Sequence, residues 1–290
     1  MKIQASDLTS NRDQCLAHFR SISLSKKVCL FFESSWNSLL FMIKKIICIL
    51  KKANTEVEHL TRANREFSKD KLIICLHGLN SAPFRLKPVI DQLQQRPQAD
   101  QADIFVPYVL EKGNATLDRL ADQIEPVIRA WASAHPGGEL VLIGTSNGSR
   151  IAQAVDARLK HGDLSLRQIT SISISGACRG SKTANLAKKV SKCLPKSLLA
   201  SPVIKEEMPV GSPRNQQLKR EWEETVKHPC AIPRKYTFIA ASGDWTVPNH
   251  SSTLMKVPRR IPATYGFAYG HSHSSAVAAS AQLISEIAIP

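Results

Sequence analysis

The sequence predicts an α/β protein with a mostly parallel sheet flanked by helices. Three observations carry that expectation. The apolar fraction is 43% in 290 residues, enough to bury a real core. From residue 71 onward short apolar runs alternate with helix-patterned segments, the signature of βαβ units. The pentapeptide Gly144-Thr-Ser-Asn-Gly148 sits between a strand-like run and a helix-like one.

The first 27 residues are polar and too mixed for the leading region of a cleaved signal. Val28 to Leu50 is apolar but interrupted by Glu33, Asn37 and Lys44-Lys45, which leaves no charge-free run near the roughly 18 residues of a spanning helix. Trp36, Leu40, Ile43, Ile47 and Leu50 recur at three- and four-residue intervals and share one helical face. Lys44, Lys51 and Lys52 lie beside that face and can snorkel towards headgroups. Three readings stay open for residues 28–50: packing on the catalytic body, contact with a membrane interface, and crossing the membrane. Residues 53–69 read as an exposed helix or linker, so 1–70 is expected to be an N-terminal helical extension and 71–290 the main domain.

Within the main domain, strands are expected at 72–76, 104–108, 140–143, 169–175 and 236–241. Helices are expected at 84–96, 115–134 and 147–160, with an apolar closing helix at 274–287. Residues 182–235 fall between two strands and carry helix-like stretches at 182–194 and 215–226, separated by prolines, as a lid insertion would.

The chain carries 39 Lys and Arg against 24 Asp and Glu, a net +15 that favours anionic surfaces. The excess concentrates in 181–235, with 12 basic and 5 acidic residues, whereas 71–180 holds 12 and 10. A basic insert on a nearly balanced body looks more like a docking surface, or a solvated face, than a nucleic-acid groove. Nucleic acid is disfavoured as a partner because zinc-finger spacing, an RNA-binding aromatic signature and a basic helix with heptads are all missing from the sequence. Seven widely spread cysteines without a C-x-x-C pair point to a reducing compartment, with Cys75 and Cys178 acting as small buried hydrophobes. A Cys193–Cys230 bridge across the insert stays open. The expected location is cytoplasmic, with a peripheral membrane position as the variant.

Four segments in order resemble the α/β-hydrolase superfamily, and within it the bacterial lipase and GPI-inositol-deacylase-like branch. They are Leu72-Ile-Ile-Cys-Leu-His77-Gly78-Leu79, Gly144-Thr-Ser146-Asn-Gly148, Ser173-Ile-Ser-Gly176-Ala-Cys-Arg179-Gly180-Ser181, and the pair Ser242-Gly-Asp244-Trp-Thr-Val-Pro248 with Gly270-His271. The resemblance covers about 71–290. It implies an α/β-hydrolase fold with a helical lid and a nucleophile elbow at Ser146. Ester cleavage at neutral pH needs a histidine to take the serine proton and a carboxylate to orient that histidine. The sequence offers Ser146, Asp244 and a histidine in that order; Asp244 is one of two acidic residues between 236 and 290.

For the base, the resemblance favours His271, which follows a glycine, over His273; His250 is a distant third. Backbone N–H groups of Leu79 and Asn147 are the expected oxyanion hole. His77 is then a loop organiser. Thr145 and Ser149, and Ala177-Cys178 in the third motif, depart from the lipase pattern and put an ordinary triglyceride specificity in question. The chemistry calls for no cofactor, and no metal-ligand cluster with zinc or calcium spacing is seen. The expected activity is hydrolysis of carboxylic, lipid-like esters by a lipase, phospholipase or esterase, with an anionic membrane surface as a candidate partner. Two alternatives are an acyltransferase with the same triad and a non-catalytic, membrane-peripheral binding protein on a hydrolase scaffold.

Overall fold

The computed structural model describes residues 3–50, 58–61, 66–159, 164–190, 202–227 and 232–290; within 41–50 only the helical backbone is described. Two helices lead the chain, α1 (Arg12–Ser21) and α2 (Leu24–Leu50). The sheet then begins with β1 (Lys71–Leu76), followed by α3 (Lys87–Gln94), β2 (Asp103–Phe105), α4 (Leu117–Ala134), β3 (Gly138–Thr145) and α5 (Asn147–Arg158). After β4 (Leu166–Ile174) come three helices, α6 (Lys182–Val190), α7 (Pro202–Glu206) and α8 (Pro213–Lys227). The chain returns to the sheet with β5 (Arg234–Ala241), α9 (His250–Thr253), β6 (Ala263–Ala268) and α10 (Ala276–Ala288).

All six strands are parallel, in the order β2-β1-β3-β4-β5-β6. Alternation along the central strands splits the core into two layers. Ile73, Cys75, Val141 and Ile143 face α3 and α10, while Leu72, Ile74, Leu140 and Leu142 face α4 and α5. A third cluster joins Phe238, Tyr265 and Phe267 of the last two strands to Cys15 and Leu16 of α1 and Trp222 of α8.

The expected lid interval thus holds α6, α7 and α8; positions 191–194 of the expected helix 182–194, and both Cys193 and Cys230, lie outside the described residues. Two local differences have physical causes. The segment expected as one helix over 84–96 is a 3₁₀ turn (Pro83–Leu86) followed by α3, because Pro83 and Pro88 each fix a new helix start. Of 53–69, the described part holds one 3₁₀ turn, Glu58–Leu60, and no α-helix. Strand β6 was not expected, since Ala263-Thr-Tyr-Gly-Phe-Ala268 lacks the aliphatic run of the other strands. Its outer edge is covered by the N-terminal segment: Thr9 exchanges backbone bonds with Tyr265 at 2.9 and 2.8 Å. Phe19 of α1 stacks on Phe267 with centroids 4.5 Å apart.

Candidate functional site

Ser146 occupies the turn between β3 and α5, with φ 55° and ψ −120°, a conformation non-glycine residues adopt only when their surroundings enforce it. The flanking glycines are what let the turn close. A Cβ on Gly144 would lie 2.5 Å from the Ser149 amide, and one on Gly148 would run into the Leu76 carbonyl. The Ser146 amide donates to the Ile174 carbonyl at 3.0 Å, which pins the corner to the end of β4.

Asp244 follows β5 and is almost wholly buried. One carboxylate oxygen accepts the backbone N–H groups of Thr246 and Val247 at 2.9 and 2.7 Å. The other accepts Nδ1–H of His273 at 2.7 Å. His273 lies past β6, just ahead of α10, and lines a cleft of about 250 Å³ together with Ser146, Leu79, Met208 and Arg85. Serine after β3, acid after β5 and histidine after the last strand, all at the carboxyl ends of a parallel sheet, are decisive. The chain has the α/β-hydrolase fold.

The hydrolase fold places His271 differently from the sequence expectation. Gly270, at φ 70°, makes a tight turn directly after β6, and His271 is spent on closing it: its carbonyl accepts the Gly243 amide at 3.0 Å and its Nδ1 sits 3.3 Å from Ser275 Oγ. The preference for His271 as partner of Asp244 is therefore corrected to His273. Two residues farther along, the chain has cleared the turn and points back into the cleft. His250 packs edge-on to Phe267 and donates from Nε2 to the Ala241 carbonyl at 3.2 Å; burial pushes it below the ordinary histidine value.

His77 is buried at the end of β1. Its Nδ1–H donates to the Gly78 carbonyl at 3.0 Å and its Nε2 accepts the Val109 amide at 3.2 Å, so it ties the loop after β1 to the loop after β2. Burial holds it too below the usual range, in keeping with a neutral ring that organises a loop. That loop brings Leu79 into the cleft. Asn147 is the first residue of α5, so its amide is not used by the helix ladder. Its side chain is fixed on both ends, by the Gly113 carbonyl at 3.1 Å and by Arg150 at 2.9 Å.

Arg150 was not anticipated. It is fully buried one turn into α5, and also donates to Asn215 of α8 at 3.1 and 2.9 Å. Desolvation lowers it to about 10, which leaves it charged at neutral pH. The Glu207 carboxylate stands 3.9 Å away and also accepts the Leu117 amide at the start of α4. Nothing in a one-dimensional pattern separates such an arginine from a surface cation on a helix. Larger hollows, of about 670 Å³ around Lys71 and Glu139 and about 360 Å³ around Arg234, open at the amino ends of the strands, away from Ser146. Among the described residues no cluster of His, Cys, Asp and Glu could hold a metal ion.

No protein-family model matches the chain, and no curated protein matches it. Solved structures do. A lipase-esterase related protein from Clostridium acetobutylicum is 14% identical, with 79% of this chain and 96% of that one covered, at a TM-score of 0.49. The esterase domain of a Rhodothermus marinus protein is 12% identical over 77% of this chain and 86% of that one, at 0.45. Phospholipase PlaB from Legionella pneumophila is 15% identical over 59% of this chain, at 0.39, and this chain spans only 39% of its length. At these TM-scores the hydrolase-fold assignment stands on the chain's own topology and elbow. The GPI-inositol-deacylase branch is not singled out among them.

Proposed function

We propose that this chain is a serine ester hydrolase that cleaves carboxylic esters of lipid-like character. Ser146 is the nucleophile, His273 the general base and then acid, Asp244 the group that orients it, and the amides of Leu79 and Asn147 the oxyanion donors. The observation that carries the reading is the 2.7 Å His273–Asp244 bond made in the same cleft as a serine on a strained elbow.

With Nδ1 engaged by Asp244, Nε2 of His273 is the nitrogen left to take the Ser146 proton as Oγ adds to the ester carbonyl carbon. The carbonyl oxygen becomes an oxyanion met by the two amides. Collapse breaks the bond to the alcohol, which leaves with the proton from His273. Water, deprotonated by the same ring, then attacks the acyl-serine, and the acid is released as His273 returns that proton to the departing Ser146 Oγ. A lipid-like substrate is supported by the apolar side chains of Leu79, Met208 and Val277 in the cleft wall.

Ser146→Ala should abolish labelling by a fluorophosphonate probe and turnover of p-nitrophenyl esters while leaving the thermal melt unchanged. Undiminished labelling of that variant would refute the reading.

A further inference from the structure

Helix α2 is mounted with its polar side towards the fold. Ser34, buried, donates to the Gly243 carbonyl at 3.3 Å, and Asn37 donates to the Gly270 carbonyl at 2.7 Å. A Cβ on Gly243 would collide with the Ser34 side chain, and one on Gly270 with the Glu33 carboxylate. These seats are on the two loops that carry Asp244 and His273. The helix is thus packed tightly beside the site by its hydrophilic residues.

The apolar side faces outward. Leu24, Val28, Phe32, Trp36 and Leu40 follow one another at four-residue intervals in a single stripe, and all are exposed, Phe32 by 66% and Trp36 by 61%. At a helical 100° per residue, the half of the helix that carries this stripe holds no charged residue between 24 and 40; Lys26, Lys27 and Glu33 fall outside it. A surface helix ordinarily shows water the opposite face. The stripe continues onto the fold. Phe31 meets the Trp245 ring edge-on at 5.6 Å, and Trp245, next to Asp244, is 68% exposed. Thr183 of α6 donates to the Trp245 carbonyl at 2.7 Å, and Leu186, one turn on, is exposed as well.

Charge decides what covers this face. Between residues 21 and 52 there are six lysines and one acid, Glu33, and α6 adds Lys182, Lys188 and Lys189 beside Leu186. A second copy of the chain, itself at +15, would bring lysines against lysines. An anionic lipid layer matches both the apolar stripe and the surplus of lysines in this stretch of sequence, and tryptophan suits the boundary between headgroups and acyl chains. Among the described residues no helix is long and apolar enough to cross a membrane.

We infer that the outward face of α2, with Trp245 and Leu186, is a docking surface for an anionic lipid layer and holds the mouth of the Ser146 cleft against it. The second half of that statement rests on the proposed esterase reading.

The test is flotation of the full chain with vesicles of phosphatidylcholine alone and of phosphatidylcholine mixed with phosphatidylglycerol. The protein should float with the mixed vesicles, less so in high salt, and much more weakly with phosphatidylcholine alone. The double variant Phe32→Asp/Trp36→Asp should lose at least about tenfold in binding and in hydrolysis of a vesicle-borne ester, with unchanged melting and unchanged hydrolysis of a soluble short-chain ester. Absence of vesicle binding by the natural chain, or binding that the double variant retains in full, would overturn the inference. So would self-association that the double variant abolishes in a chain that does not float. Ser146→Ala should float like the natural chain; a protein that floats but hydrolyses neither ester would sustain the docking surface and defeat the esterase reading.

Discussion

Nη1 of Arg150 lies 2.9 Å from Oδ1 of Asn147, so a fully buried guanidinium holds the residue that follows the strained serine. The same guanidinium reaches Asn215 on α8 and the Glu207 carbonyl, which couples the elbow to the segment inserted after β4. A charge placed there is costly unless paired, and here its partners also fix the amide assigned to the oxyanion hole.

Arg150→Met should therefore act twice. Leaving Asn147 and Asn215 without their donor should destabilise the fold by about 3 kcal/mol, read from urea unfolding. On a soluble ester, kcat should fall roughly tenfold or more with little change in KM, because a misplaced amide weakens the transition state more than the ground state. Asn215→Ala should move both quantities in the same direction by less. An Arg150→Met protein that unfolds earlier but keeps its kcat would reduce Arg150 to a structural brace.

The two loop histidines make opposite predictions under substitution. His273→Gln should lower kcat/KM by about 10³–10⁴-fold, the loss expected when a triad base is removed. His271→Gln should stay within about tenfold of the natural chain and instead lower the melting temperature, since it removes a buried ring whose Nδ1 sits 3.3 Å from Ser275 Oγ at the start of α10. Steady-state rates and melts on the pair check both; a dead His271→Gln beside an active His273→Gln would reverse the assignment.

What could be read from the residues follows from how local each requirement is. The elbow was legible because Gly144 and Gly148 are demanded by neighbours within a few ångströms, and β1, β3 and β4 because buried parallel strands are continuous apolar runs. Strand β6 escaped because it lacks a continuous aliphatic run and part of its cover comes from segments more than two hundred residues away, Thr9 and Phe19 among them. His271 and His273 are separated by one residue, and only the turn at Gly270 decides which one reaches Asp244. The apolar stripe of α2 was visible as a period, but its direction was not: a periodicity says that a helix has two faces and leaves open which is turned outward.

Acid sensitivity should follow from the two buried rings outside the proposed triad. His77 and His250 are both held below the ordinary histidine value of 6.5, in each case by burial first. Unfolded, both take a proton near that value, whereas folded they do so only at lower pH. Across that window the unfolded state binds more protons, so their contribution to stability is complete above about pH 6.5 and is lost as the pH falls towards the folded values. The melting temperature should drop by a few degrees between about pH 7 and pH 5. His250→Gln keeps a donor for the Ala241 carbonyl but removes one titrating ring, so its melting temperature should fall less steeply over the same interval. Melts of both proteins at a series of pH values check this, and identical slopes would mean that His250 carries no part of the acid sensitivity.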